Sequence, residues 1–353
     1  MADVSLEETL DGTILAFLVQ DGITNGAVYA LLGLSLVLVF AVTRVIFIPQ
    51  GEFVAYGALT LALIDAGRLP GTMSLLVGFG VVAFLFDLWD QRRGFDGVRL
   101  FRGAAVNVGL PVVIFVIVSL AVPAQPGNAV KALLAIILVA PMGLYLYRIA
   151  YRPLADASVL VLLIASVGVH LAMMGLGLHV FGAEGLRASA LSPGAVRVGF
   201  LPVPAQSLWI YGATITTMIG LYLFFEKTIL GKALRAAAVN RLGARLVGIR
   251  TQLTGATAFA LASTIGAISG VLIAPITTIY YDTGFLIGLK GFVAAIIGGL
   301  SSFPVTALAA IGVGLVEAFA SFFASNYKEI IVFSLIIPVL VWRSLTTDPH
   351  EEE

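Results

Sequence analysis

Few residues in this 353-residue chain have chemistry to offer, and most of those stand in apolar surroundings. Asn25 and Tyr29 lie four apart, so a helix puts both on one face. Gln50 and Glu52 flank Gly51 directly after Pro49, which has no N–H to give a helix; a break there exposes backbone groups able to meet the charged ends of a small zwitterion. Lys290 and Glu317 sit in a long glycine- and alanine-rich stretch towards the C-terminus. A polar group in hydrocarbon costs free energy and is turned to the interior of a helix bundle. Asn25, Tyr29, Gln50, Gly51, Glu52, Lys290 and Glu317 are therefore the candidate lining of a substrate pathway. For Glu52 and Lys290 a second reading is open: the interfacial end of a helix, with the charged head reaching water. Glu317 has apolar or small residues on both sides and is read as buried, with no partner that the sequence names.

Catalysis finds no foothold in the same survey. His170 and His179 are nine apart in an apolar run without an acidic or cysteine companion, so they read as packed or pathway-lining residues, and no metal site is expected. The chain has no cysteine, which removes disulfides and thiolate chemistry. No serine stands in a Gly-x-Ser-x-Gly setting, and there is no closely spaced carboxylate pair within the apolar runs. The phosphate loop G-x-x-x-x-G-K-[ST] is absent: the only Gly-Lys pair, Gly231-Lys232, is followed by alanine. No cofactor is expected, and any nucleotide chemistry belongs to another chain. Twenty Lys and Arg against twenty Asp and Glu give no case for nucleic acid.

The elements that must hold these residues follow from composition. With 59 % hydrophobic and 11 % charged residues and a mean hydropathy of +1.05, the chain is an integral membrane protein. Lipid offers backbone groups no partner, and the apolar runs are too continuous for an alternating barrel pattern, so the fold class is an all-α polytopic helical bundle. About eleven apolar segments can be counted against the roughly 20 residues a bilayer requires. Those at 52–66, 285–300 and 328–342 are short, and are candidates for broken or re-entrant helices. Arg92, Arg93, Arg99 and Arg102 crowd one loop, Arg148 and Arg152 a second, and Lys227, Lys232, Arg235, Arg241, Arg245 and Arg250 a third. Counting segments puts all three on one side, which the positive-inside rule makes cytoplasmic. The N-terminus, with Asp3, Glu7, Glu8 and Asp11 and no Lys or Arg, is then outside and retained rather than cleaved, and the C-terminus is inside.

The stretch GKALRAAAVNRLGARLVGI, 231–249, stands apart: alanine-rich, basic and without an acidic residue. As a helix it aligns Leu234, Ala238, Leu242, Leu246 and Ile249 in one stripe, interrupted at Gly243. A loop that only fixes topology has no use for that stripe, whose apolar face needs a protein partner or the membrane surface to cover it. Elsewhere Gly266 and Gly270, and Gly298, Gly299, Gly312 and Gly314, permit close helix contact.

The blocks NGAVYALLGLSLVLVF and VIFIPQGEFVAYGA, the YRPL at 151–154, GLKGFVAAIIGGLSSFPVTALAAIGVGLVEAF at 288–319 and YKEIIVFSLIIPVLVWR resemble the permease subunits of high-affinity branched-chain amino-acid ABC importers, the LivH type. The resemblance implies a single permease domain over 1–353 in a bacterial or archaeal cytoplasmic (inner) membrane. It also implies a second related permease, two ABC ATPase subunits and an extracytoplasmic substrate-binding protein as partners. It makes 226–250 the cytoplasmic coupling loop, with Gly231, Arg235, Ala237, Leu242, Gly243, Leu246, Gly248 and Ile249 as its ATPase-coupling residues. The implied substrates are leucine, isoleucine and valine, with urea and short amides served by close relatives. An ion-coupled secondary transporter acting alone is the alternative from another class; it would show inverted repeats and paired carboxylates. Three departures stand out: Val239 and Asn240 replace an acidic pair usual in the coupling segment, PQG at 49–51 replaces Ala-His-Gly, and the segments at 72–123 look inserted.

The charge map predicts that single cysteines placed at 94 and 241 are labelled only from the cytoplasm and one at 189 only from outside. Labelling of position 241 by an impermeant external reagent overturns the topology.

Overall fold

The computed structural model describes residues 12–90, 97–199 and 201–346; Asp3, Glu7, Glu8, Asp11, Arg92, Arg93 and position 94, which enter the charge map, lie outside the described residues. The chain runs through α1 (Gly12–Thr43), α2 (Gln50–Asp65), α3 (Thr72–Asp90), α4 (Gly97–Ala104), α5 (Leu110–Ala121), α6 (Asn128–Leu146), α7 (Val159–Phe181) and α8 (Ala205–Lys227). It continues through α9 (Ile229–Val239), α10 (Arg241–Leu246), α11 (Thr251–Ile273), α12 (Thr283–Ile297), α13 (Phe303–Phe323), α14 (Lys328–Ser334) and α15 (Ile336–Thr346). A small antiparallel hairpin, Ala195–Val198 with Leu201–Pro204, precedes α8. Eight helical stretches among the described residues are long and apolar enough to cross a membrane, and Ala105–Ala121 and Thr283–Ile297 are shorter apolar ones. With α2, these occupy the runs read from the sequence.

The second and third basic loops meet at one end; of the first, Arg92, Arg93 and the side chains of Arg99 and Arg102 lie outside the described residues. Arg148 and Arg152 each lie 3.9 Å from Asp87 at the close of α3. Arg241 donates to the Ala155 carbonyl (2.7 Å), and Arg245 pairs with Asp156 (2.8 Å). At the other end Lys131 pairs with Asp65 (2.9 Å), whose second oxygen accepts from the Ser189 amide, and Leu186 bridges to Ile279. The segment count and the packing thus agree on two distinct ends. The segments at 72–123 are tied on by Asn107, in a π turn (Ala105–Gly109): its amide donates to Asp87 (2.6 Å), and its carbonyl oxygen accepts from Arg148.

The core is built of α1, α2, α6 and α11 to α13, while α7 and α8 present apolar side chains outward. Lipid gives helices no hydrophobic push together, so contact relies on close packing between small residues. Gly22 and Gly26 of α1 face Gly314 of α13, and Gly266 and Gly270 of α11 lie against Phe53, Val54 and Ala58 of α2. A reciprocal close approach brings α2 to α12: a Cβ on Gly51 would sit 2.0 Å from the Gly284 carbonyl oxygen, and one on Gly284 2.3 Å from that of Gly51.

The short helices have a physical reason. Gln50 donates to the carbonyl of Ala262 (3.0 Å), midway along α11, and Glu52 meets His170, midway along α7. So α2 begins at half depth, after the non-helical 44–47 and a turn that ends at Pro49, and runs to the Asp65 end. Through Gly51 and Gly284, α12 begins at the same level, and it runs the opposite way, to Gly298 against Thr306. Two helix N-termini abut inside the bundle.

A Gly51→Ala variant is expected to lose about 2 kcal/mol or more of stability, because neither backbone at the crossing can yield. Gly78→Ala, whose added carbon meets nothing within 4 Å, is the matched control. Melting of the purified full chain in detergent measures both.

Candidate functional site

Two charge clusters flank the start of α12. In the first, the Tyr29 hydroxyl donates to Glu317 Oε2 (2.5 Å) and Lys290 Nζ to Glu317 Oε1 (2.5 Å) and Glu329 Oε1 (3.1 Å). The Lys290 ammonium also lies 5.9 Å from the centre of the Tyr29 ring. Four elements contribute: α1 brings Tyr29, α12 Lys290, α13 Glu317 and α14 Glu329. Gly33 and Gly291 allow the approach of α1 to α12 that makes this possible, since a Cβ on Gly291 would touch that of Leu32 at 2.6 Å. Lys290 and Glu317 are both buried, and isolated ions there would be costly, so each is held by the other. Asn25, one turn before Tyr29, is half-buried and makes no hydrogen bond among the described residues.

In the second cluster Glu52, 0 % exposed, meets His170 Nδ1 through Oε1 at 2.9 Å, and the imidazole stacks on Phe285 of α12 with ring centres 4.5 Å apart. Glu52 Oε2 and Gln50 Oε1 are buried acceptors without a partner among the described residues. Glu52, in the first turn of α2, and Lys290 are both buried, so neither charged head reaches water and the snorkelling alternative falls. Expectations for 49–51 are also corrected. Successive helical positions turn by about 100°, so Gln50 addresses α11, Gly51 addresses α12 and Glu52 addresses α7. The Gly51 backbone is covered by Gly284 rather than exposed, and Gln50 and Glu52 bond to different helices. Glu317 gains the partners that the sequence could not name. His170, outside the candidate set, belongs to the site; a lone histidine midway along an apolar run, opposite a lone buried glutamate, was the available signal.

At the basic end the expected single helix is two. Thr228 caps α9 by accepting from the Gly231 amide (2.9 Å), and Asn240, in extended backbone, caps α10 by accepting from that of Gly243 (2.8 Å). The break splits the stripe. Leu234 is fully buried against Leu38, Val42 and Ala258, whereas Leu242 and Leu246 are 69 % and 80 % exposed beside exposed Val239 and Val247. Gly231 and Ala237 are buried; a Cβ on Gly231 would meet the Phe224 carbonyl oxygen at 2.1 Å, so glycine is what lets α9 turn back on α8. Arg235 is held by Glu226 (3.0 Å) and the Phe225 carbonyl. Gly248 has φ +84°, the left-handed region glycine tolerates, and Ile249 is half-buried. The Arg245 guanidinium, hydrogen-bonded to Asp156, holds that exposed carboxyl below the usual carboxylate range.

Long apolar helices around a paired-charge interior, with an apolar knob on the basic end, define a polytopic membrane protein of the permease class. The family described as branched-chain amino acid transport system, permease component, matches residues 99–340, and the chain belongs to it. It is similar to the high-affinity branched-chain amino acid transport system permease protein BraD of Pseudomonas aeruginosa, 26 % identical over 330 residues that cover 92 % of each chain. LivH of Escherichia coli K12 is 25 % identical over 336 residues, 93 % of this chain and 94 % of that one. A probable LivH of Methanocaldococcus jannaschii is 26 % identical over 211 residues, 57 % of this chain and 66 % of that one.

Removing one partner of a buried ion pair strands the other, at a cost of roughly 3–5 kcal/mol, while removing both is far milder. Lys290→Met and Glu317→Gln are each expected to lower the melting temperature strongly, and the double variant to recover most of the loss. A double variant as unstable as the sum of the singles would show that the pair does not act as a unit.

Proposed function

We propose that the chain is one transmembrane half of an ATP-binding-cassette importer for branched-chain amino acids. A second related permease completes the path, two ATPase subunits drive it, and an extracytoplasmic protein delivers substrate. The reading rests on one combination: a chain whose relatives are permease components carries, on its basic end, an apolar pair, Leu242 and Leu246, that none of its described residues covers. The N-terminus lies outside and the C-terminus and 226–250 loop in the cytoplasm, because the basic loops share that end. Hydrolysis resides in the ATPases.

Within this reading the two clusters line or gate the path. Glu317 and Glu52 offer carboxylates to a substrate ammonium and Lys290 offers an ammonium to its carboxylate, each after release from its present partner. Asn25, Tyr29 and Gln50 supply neutral hydrogen-bonding groups nearby. Because α12 touches α1 through Gly291 and α2 through Gly284, a shift of this one helix alters both clusters together. The segments at 72–123 are an addition pinned to the family body through Asp87, Asn107 and Arg148.

If Leu242 and Leu246 are the ATPase contact, replacing both by Asp leaves charge in an apolar interface at a cost of several kcal/mol. Membrane abundance and melting of the permease should stay within experimental scatter of wild type, while co-purification of ATPase and leucine uptake fall at least tenfold. Normal uptake in the double variant would remove the coupling assignment. Competition by isoleucine and valine but not urea tests the substrate class separately.

A further inference from the structure

An open cleft of about 770 Å³ lies at the basic end, between the last turns of α6, the loop that follows it, and α10 and α11. Among the described residues, Arg148, Arg152, Arg241, Arg245 and Arg250 line it with Asp87 and Asp156, five cationic side chains to two acidic ones. A topology signal needs arginines on one side of the membrane but has no need to gather them round one cavity, where like charges repel. Local geometry does gather them: Arg148 and Arg152 are four apart across the π turn (Tyr147–Tyr151) that ends α6, and Arg241 and Arg245 are four apart on α10. The Arg250 side chain makes no hydrogen bond or ion pair among the described residues. It stands where α11, a 23-residue helix without a side-chain cap, turns its positive end to the cleft.

The depth of the cleft matters as much as its charge. Trp89, two residues from Asp87, is 68 % exposed, as aromatic side chains at the headgroup level are. Exposed Leu253, on the first turn of α11, supplies an apolar patch beside the arginines. Cationic wall, apolar patch and interfacial depth together match an amphiphile with an anionic phosphate.

We propose that this cleft binds an anionic phosphate group, carried by the headgroup of an acidic phospholipid in the leaflet at the basic end. A phosphate bridging Arg241 or Arg245 of α10 to Arg148 or Arg152 in the turns that follow α6 ties the short helix that displays Leu242 and Leu246 to the membrane-spanning body. The bound headgroup thereby sets how firmly that apolar pair is presented. The proposal does not depend on which substrate is carried.

Native mass spectrometry and thermal melting of the full-length chain, with phosphatidylglycerol, phosphatidylcholine or inorganic phosphate added, test it. Phosphatidylglycerol should be retained and stabilising where phosphatidylcholine is not. The pair Arg241→Gln with Arg250→Gln should weaken its retention by roughly tenfold or more, at about 1 kcal/mol per charge near a surface. The pair Lys227→Gln with Lys232→Gln removes the same charge from the same end outside the cleft and should leave retention unchanged. Stabilisation by millimolar inorganic phosphate alone, competing with the lipid and lost in the arginine variant, would keep the phosphate site and overturn its lipid source. Equal retention of both lipids, or equal loss in the lysine and arginine variants, would overturn the site itself.

Discussion

Helices in hydrocarbon gain nothing from hiding apolar surface from lipid that is equally apolar, so this bundle depends on how closely its backbones approach. The crossing of Gly51 and Gly284, with each carbonyl oxygen where a side chain would otherwise begin, is a reciprocal backbone approach between two helix starts. It sets the common level at which α2 and α12 start, and from that level the depth of every interior charge follows. Glu52 lies one residue beyond the crossing on α2 and Phe285 one residue beyond it on α12, which is why carboxylate, imidazole and ring meet.

Once backbones are that close, water has little room, and charges between them must find each other. Lys290 answers two carboxylates, and Tyr29 donates to one of them, so in the first cluster one cation faces two acids and only Glu329 Oε2 is left without a partner among the described residues. The second leaves two such atoms: Glu52 Oε2 and Gln50 Oε1 are buried acceptors with no donor among the described residues. Buried acceptors left open are costly in a finished core, and are the kind of group that a transported ammonium or a water can use. Both clusters hang on α12, the helix clamped by glycines on two sides, so the element least able to deform is also the one that relates them. Coupled movement of the clusters then requires displacement of α12 as a body.

Much of this was legible from residue types alone. Composition and run length separate the all-helical membrane bundle from every soluble class, and two of the three arginine-rich loops, those holding Arg148 and Arg241, pack at one end as their common charge suggested. The charges singled out as interior are interior. What periodicity could not convey was direction: three consecutive residues at 50–52 address three helices, so adjacency in sequence suggested a shared surface where the fold makes three separate contacts. Nor does spacing reveal that Glu317 and Lys290, 27 residues apart, meet through antiparallel neighbours, or that His170 reaches back to Glu52 across 118 residues. Such pairings depend on which helices become neighbours, and that is decided by glycine contacts whose specificity is weak in sequences rich in glycine.

The coupling stretch shows how one residue changes the meaning of a pattern. In an unbroken helix Leu234, Ala238, Leu242 and Leu246 would share a face, and a face that buried Leu234 against α1 and α11 would bury the others too. Asn240 leaves the helical conformation and restarts it with its own side chain as cap, so the axis and phase of α10 are set anew. Leu234 keeps its place in the core, while Leu242 and Leu246 turn outward and Arg241 and Arg245 face the α6 loop. Asn240 thus performs a structural task of its own. It lets six residues present an apolar pair on one side and a cationic pair on the other, which a continuous amphipathic helix anchored through Leu234 could not do.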